Sequence, residues 1–275
     1  MPHINCNNAS LFYTDEGSGN ETIVFSHGLL MSNEMFRSQI DHFKTRYRCI
    51  AYDHRGQGKS EVTKAGYDMD NLFLDAAALI ENLQLGAVHF VGLSMGGFVG
   101  MRLAARKPHL LKSLVLMETS ADEEVFKFKY NLLNLIFAVA GSKPIHQKIM
   151  NILFGKSFLT DPERAPGRVY WENHMLRLKK SITKSVKGVI DRTSVYEEIK
   201  SIAVPTLVLV GDEDVATVPE KAKRIHKQIN GSVLEIISGA GHSASVERPE
   251  AVNRVIESFL NHLNSDGSHT LLHHN

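Results

Sequence analysis

A short apolar run, Val88-His89-Phe90-Val91, passes directly into Gly92-Leu93-Ser94-Met95-Gly96-Gly97, and Phe98 to Lys107 then repeats apolar residues at helical spacing. The run is β-branched at both ends, as suits a strand buried on both faces, so the segment reads as strand, tight turn and helix. That order constrains the whole chain, because a parallel strand needs a crossover connection and a helix layered on its face. One serine stands at the turn. Its flanking glycines let neighbouring segments pass, and the turn aims the Met95 amide and the helix N-terminus at charge developing beside the Ser94 oxygen. Without that context Gly-x-Ser-x-Gly arises by chance in roughly one chain in ten of this length; the strand before it and the helix after it set this copy apart.

The pattern repeats on both sides. Leu11 to Thr14 reads as a strand followed by the polar turn Asp15 to Asn20, and Thr22 to Ser26 as a buried strand ending at His27-Gly28. Met35, Phe36, Ile40 and Phe43 have helical spacing, Arg48 to Tyr52 returns to strand, and Asp68 is the expected cap of a helix to Leu83. Leu110 to Met117 is a further strand. From about Asp122 to Val195 the alternation stops, and Lys127–Ala140, His146–Phe154 and Arg168–Lys187 read as helices only. Strands resume at Pro205 to Gly211 and at Val233 to Ile237, with helices expected at Glu220–Ile229 and from Pro249 to Leu263. The expected organisation is a core of residues 1–121 and 199–264, a helical insertion at 122–198, and a polar, His-rich, disordered tail at 265–275.

Composition excludes several classes of function. With 43% apolar residues there is ample material for a core, and a net charge of +1 gives no general attraction to nucleic acid. Cys6 and Cys49 form no C-x-x-C pair, so neither a disulfide framework nor a zinc ribbon is indicated and a reducing setting is expected. The first eight residues lack the basic and apolar regions of a signal peptide, and no run approaches the roughly 18 apolar residues of a membrane span. A cytoplasmic protein acting on a small molecule is the expectation, with a homodimer left open.

A serine hydroxyl becomes a useful nucleophile when a histidine takes its proton, and the histidine in turn needs a carboxylate to fix its tautomer. Fourteen histidines are present, so position must choose among them. Functional groups in open parallel sheets collect at the carboxyl ends of strands. His242 lies just past one such end, in Ser238-Gly239-Ala240-Gly241-His242, and Asp212 and Asp214 lie just past another, in Gly211-Asp212-Glu213-Asp214.

Five pieces, HGLL (27–30), YDHRGQGKS (52–60), VGLSMGG (91–97), GDEDVATVP (211–219) and GAGHSASVERPE (239–250), give the chain a strong resemblance to the α/β-hydrolases from Leu11 to about Leu263. The resemblance implies a mostly parallel eight-stranded sheet flanked by helices, with a helical cap inserted after strand 6. It implies Ser94 as nucleophile, His242 as base and Asp214 as the acid, Asp212 being the competitor. It also implies an oxyanion hole from the Leu29 and Met95 amides. GLSMGG is similar to the 3-oxoadipate enol-lactonase branch and to neighbouring esterases and cofactor-free haloperoxidases. The implied activity is hydrolysis of an ester or lactone without cofactor or metal; C–C bond hydrolysis, perhydrolysis and a ligand-binding receptor with little turnover are the alternatives.

Other motifs carry less. Gly58-Lys59-Ser60 resembles the end of a P-loop, but Asp53 stands where the first glycine is required, so the loop reads as structural. Gly239 to Ala244 fits G-x-G-x-x-A, yet too little chain remains for a further βαβ unit. The insertion carries thirteen Lys and Arg against nine Asp and Glu, and one of Arg164, Arg168, Arg177 or Arg192 could meet a substrate carboxylate. Its apolar residues are packing residues first, with part of the surface lining an apolar pocket. His27, Phe36, Phe137 and Trp171 are the residues expected at that pocket, although His27 also fits a bracing role.

Overall fold

The computed structural model describes residues 2–269, with side chains through Leu263. Eight strands form one sheet: β1 (His3–Cys6), β2 (Ala9–Glu16), β3 (Thr22–Ser26), β4 (Arg48–Tyr52), β5 (Val88–Leu93), β6 (Leu111–Met117), β7 (Thr206–Gly211) and β8 (Val233–Ile237). Their spatial order is β1-β2-β4-β3-β5-β6-β7-β8, antiparallel at β1/β2 and β2/β4 and parallel elsewhere. Seven of these strands are apparent from hydrophobic patterning. The eighth, β1, is not, because His-Ile-Asn-Cys has no apolar run; it is an edge strand held by pairing from His3↔Phe12 to Cys6↔Ala9.

The helices are α1 (Arg37–Phe43), α2 (Met69–Asn82), α3 (Met95–Arg106), α4 (Lys127–Ala140), α5 (His146–Leu153), α6 (Lys156–Thr160), α7 (Ala165–Leu176), α8 (Ile182–Ile190), α9 (Pro219–Gln228), α10 (Ala244–Glu247) and α11 (Pro249–His269). Side chains alternate across each strand, so a buried sheet feeds two cores. Val24, Ile50, Phe90, Leu114 and Val208 pack with α2, α3 and α9, whereas Phe25, Ala51, Val91, Val115 and Leu209 pack with α1, α11 and part of the helical segment. Each such Val, Leu, Ile or Phe burial contributes about 1.5–3 kcal/mol. Asp68 caps α2 as its position suggests, accepting from the Asn71 amide at 2.9 Å.

Between β6 and β7 the chain is helical, and α4 to α8 lie there. One expected helix is two. Arg168–Lys187 breaks after Leu176, where the Arg177 amide turns back to Asn173 and His174, and α8 begins only at Ile182. The Arg-Leu-Lys-Lys-Ser stretch has helical propensity, but the reversal lets both Met175 and Ile182 reach the core, and that burial outweighs propensity. Helix α11 runs from Pro249 to His269, with no proline after Pro249 to interrupt it. Residues 270–275 of the tail expected to be disordered lie outside the described residues. Among the described residues no helix is long and apolar enough to cross a membrane.

Candidate active site

Ser94 occupies the single residue between β5 and α3 and takes φ +52° and ψ −109°, a conformation that L side chains rarely adopt. Its surroundings hold it there. The Ser94 amide donates to the Met117 carbonyl at 2.8 Å, and its own carbonyl accepts from the Phe98 amide at 3.0 Å and the Thr119 hydroxyl at 2.9 Å. The flanking glycines are required by close approach: a Cβ on Gly92 would lie 2.3 Å from the Gly96 carbonyl oxygen, and one on Gly96 would lie 2.0 Å from that of Ser26.

His242 follows β8, and its Nε2 stands 2.8 Å from Ser94 Oγ across 148 residues of sequence. Its Nδ1 lies 2.9 Å from Asp214 Oδ2. A carboxylate can only accept, so Nδ1 carries the proton and Nε2 is left to accept from the Ser94 hydroxyl. Asp214 Oδ1 accepts from the Ala216 and Thr217 amides at 2.8 and 2.9 Å, while the Thr217 hydroxyl donates to Oδ2 at 2.8 Å. Burial alone pushes this carboxyl up, but the His242 ring and the Thr217 hydrogen bonds outweigh it and hold Asp214 below the usual aspartate range. Asp212 is elsewhere: it accepts from the Ser238 hydroxyl and the Gly239 amide on the surface.

The loop after β3 supplies the Leu29 amide. Leu30 sits at φ +69°, its amide donating to Gln57 Oε1 at 2.9 Å and its carbonyl accepting from His174 Nε2 at 3.0 Å. The 52–60 loop, which reads as a structural turn, is therefore a brace for this backbone. Among the described residues neither the Leu29 amide nor the Met95 amide, at the first position of α3, donates to a protein acceptor. Leu29 lines the cavity beside Ser94, and Met95 is the residue that follows Ser94 in the chain.

Ser94, Leu29 and His242 open onto a cavity of about 160 Å³ whose other walls are largely apolar, among them Phe98, Leu133, Phe137, Ile149 and Val186. Phe137 lines it, as the sequence suggests, but the other three expected pocket residues do not. His27 is fully buried behind the loop, accepting the His54 amide at Nε2 and donating from Nδ1 to the Gly28 carbonyl; burial pushes its pKa down and keeps the ring neutral. Phe36 packs in the core against Phe25, and Trp171 packs among Phe154, Tyr170 and His174. Their helical registers turn these rings toward the interior of their own layers. Of the four arginines considered, Arg192 reaches the cavity, lying over the Phe98 ring at 4.6 Å and paired with Glu124 at 3.2 Å.

Three supporting residues carry no signal in local pattern: Thr217, His174 and Glu247. Glu247 accepts from the Gly241 and Ser243 amides, both at 3.0 Å, and from the Gly155 amide at 2.9 Å. Only the last comes from the helical segment, which Glu213 also holds through Ser157. Among the described residues no group of three or more His, Cys, Asp or Glu is placed to hold a metal ion.

A serine at a strained strand-to-helix turn, within this sheet order, defines a class. The model of the alpha/beta hydrolase fold family matches residues 21–249, and the chain belongs to that family. It is 28% identical over 246 residues to 3-oxoadipate enol-lactonase 2 of Acinetobacter baylyi, covering 88% of this chain and 89% of that protein. The structure is similar to the enol-lactonase from Burkholderia xenovorans LB400, with a TM-score of 0.87 at 25% identity over 94% of this chain and 100% of that one. It is also similar to an esterase from Exiguobacterium antarcticum, with a TM-score of 0.85 at 25% identity over 94% and 98%.

Proposed function

We propose that the chain is a serine hydrolase that cleaves a carboxylic ester or lactone bond of a small, largely apolar substrate through an acyl-enzyme. The observation that carries this is the unbroken relay from Ser94 through His242 to Asp214, opening onto an apolar cavity. The enol-lactonase and esterase relatives support the same class.

His242 Nε2 takes the hydroxyl proton as Ser94 Oγ attacks the carbonyl carbon, and Asp214 stabilises the resulting imidazolium. The Leu29 and Met95 amides donate to the oxyanion of the tetrahedral adduct. Collapse breaks the bond to the leaving oxygen, which receives the proton from His242. Water then gives a proton to His242 and attacks the acyl carbon, and Ser94 leaves with that proton. In a lactone the leaving oxygen stays tethered to the acyl group, so the product is a single hydroxy acid, or its keto tautomer when the leaving oxygen is enolic.

Hydrolysis of acyl esters of increasing chain length and of a lactone panel, by the protein and by Ser94→Ala, tests this. Turnover by the protein and a loss of about 10³-fold or more in the variant are expected; undiminished turnover by Ser94→Ala would refute the mechanism.

A further inference from the structure

Helix α4 is apolar on two faces. Tyr130, Leu133 and Phe137 point into the cavity above Ser94, while Phe128, Leu132, Leu135 and Val139 form an outward stripe at positions i, i+4, i+7 and i+11. The outward side chains are 85%, 49%, 60% and 71% exposed, and exposed Val125 and Phe126 extend the stripe at its start. It runs for about 16 Å along the helix. Six of the fifteen large hydrophobic side chains exposed among the described residues fall in this one segment, which separates a patch from scattered surface residues.

The charge around the stripe indicates what covers it. Helix α4 contains no Asp or Glu. Lys127 and Lys129 stand exposed at its start, Lys127 paired with exposed Glu123 at 2.8 Å, and exposed Lys180 stands at its end with its ammonium on the Val139 carbonyl at 2.8 Å. Residues 122–198 carry thirteen Lys and Arg against nine Asp and Glu, a charge of +4, which leaves −3 for the rest of a chain of net +1. A second copy docked stripe to stripe would bring two +4 segments together, whereas an anionic lipid surface complements both the apolar stripe and its basic ends. From this placement we infer that the outer face of α4 docks on an anionic bilayer surface, with Phe128, Leu135 and Val139 at the acyl boundary and the lysines at the head groups. The inference concerns binding and stands whether or not the cavity hydrolyses esters.

The test is co-sedimentation of the full chain with phosphatidylcholine vesicles and with vesicles containing about 30% phosphatidylglycerol, for the protein and for Phe128→Ser with Leu135→Ser. These two side chains are exposed, so the double variant keeps the melting temperature of the parent. Binding to the anionic vesicles about tenfold or more tighter than to phosphatidylcholine is expected, weakening in about 0.5 M salt and falling about tenfold or more in the variant. Equal binding to both vesicles, equal binding by parent and variant, or no binding would overturn the inference. So would a light-scattering dimer that the double substitution dissociates, which would assign the stripe to a second copy.

Discussion

Glu247 and His242 are joined without touching: the two peptide groups flanking the imidazole, Gly241 and Ser243, both donate their amides to the Glu247 carboxylate at 3.0 Å. The third amide on that carboxylate comes from Gly155, so one buried side chain ties the histidine loop to the helical segment. Burial pushes the Glu247 carboxyl up, and the three amides pull it back toward the charged form.

Glu247→Gln keeps the shape but turns an amide donor toward other donors. It is expected to lower stability by about 1–3 kcal/mol and kcat by about tenfold or more, because the imidazole loses its fixed loop. Thermal melting and steady-state kinetics on a responsive ester check both. An unchanged kcat would confine Glu247 to a structural role.

The two candidate acids separate cleanly by substitution. Asp214→Asn removes the acceptor that fixes the His242 tautomer and is expected to cost kcat on the order of 10⁴-fold, the scale known for loss of such an acid. Asp212→Asn, which changes only the Ser238–Gly239 turn, is expected to leave kcat within about threefold. Parallel kinetics of the two variants decide the matter.

Glu118 is fully buried at the end of β6, and neither carboxyl oxygen makes a hydrogen bond. Burial, then the charges of Asp214 and Glu247, push its pKa well above the usual carboxylate range. An acid raised on folding costs stability above its unfolded pKa, about 4.3, and the cost grows as pH climbs toward the folded value. Glu118→Gln is therefore expected to raise Tm near neutral pH, by about 2–4 °C per kcal/mol recovered, with the gain vanishing below about pH 4.3. Melting curves across pH test the sign; a gain confined to low pH would contradict it.

Gly96→Ala forces a methyl to within 2.0 Å of the Ser26 carbonyl oxygen and is expected to cost ~3 kcal/mol or more or to prevent folding. Gly141→Ala meets nothing within 4 Å and is expected to cost only the backbone strain of φ +76° with ψ −165°, about 1–3 kcal/mol. Denaturant unfolding of the two variants measures the contrast.

What the sequence determined by itself is whatever depends on near neighbours and on strand ends. Short apolar runs bounded by turn residues mark seven strands, and the GLSMGG turn places Ser94, since both signals lie within a few residues of one another. The position of His242 just past a strand end follows because a parallel sheet gathers such ends on one edge. The choice of Asp214 over Asp212 was legible only through the resemblance of GDEDVATVP, as both lie past the same strand. What tertiary structure alone decided rests on contacts between distant residues: the pairing of β1, the break after Leu176, the Thr217 and Glu247 supports, and the inward turn of His27, Phe36 and Trp171 away from the cavity. Hydrophobic pattern says that a side chain is buried, but not whether its neighbour is another layer of core or the wall above Ser94, because the same apolar surface serves both.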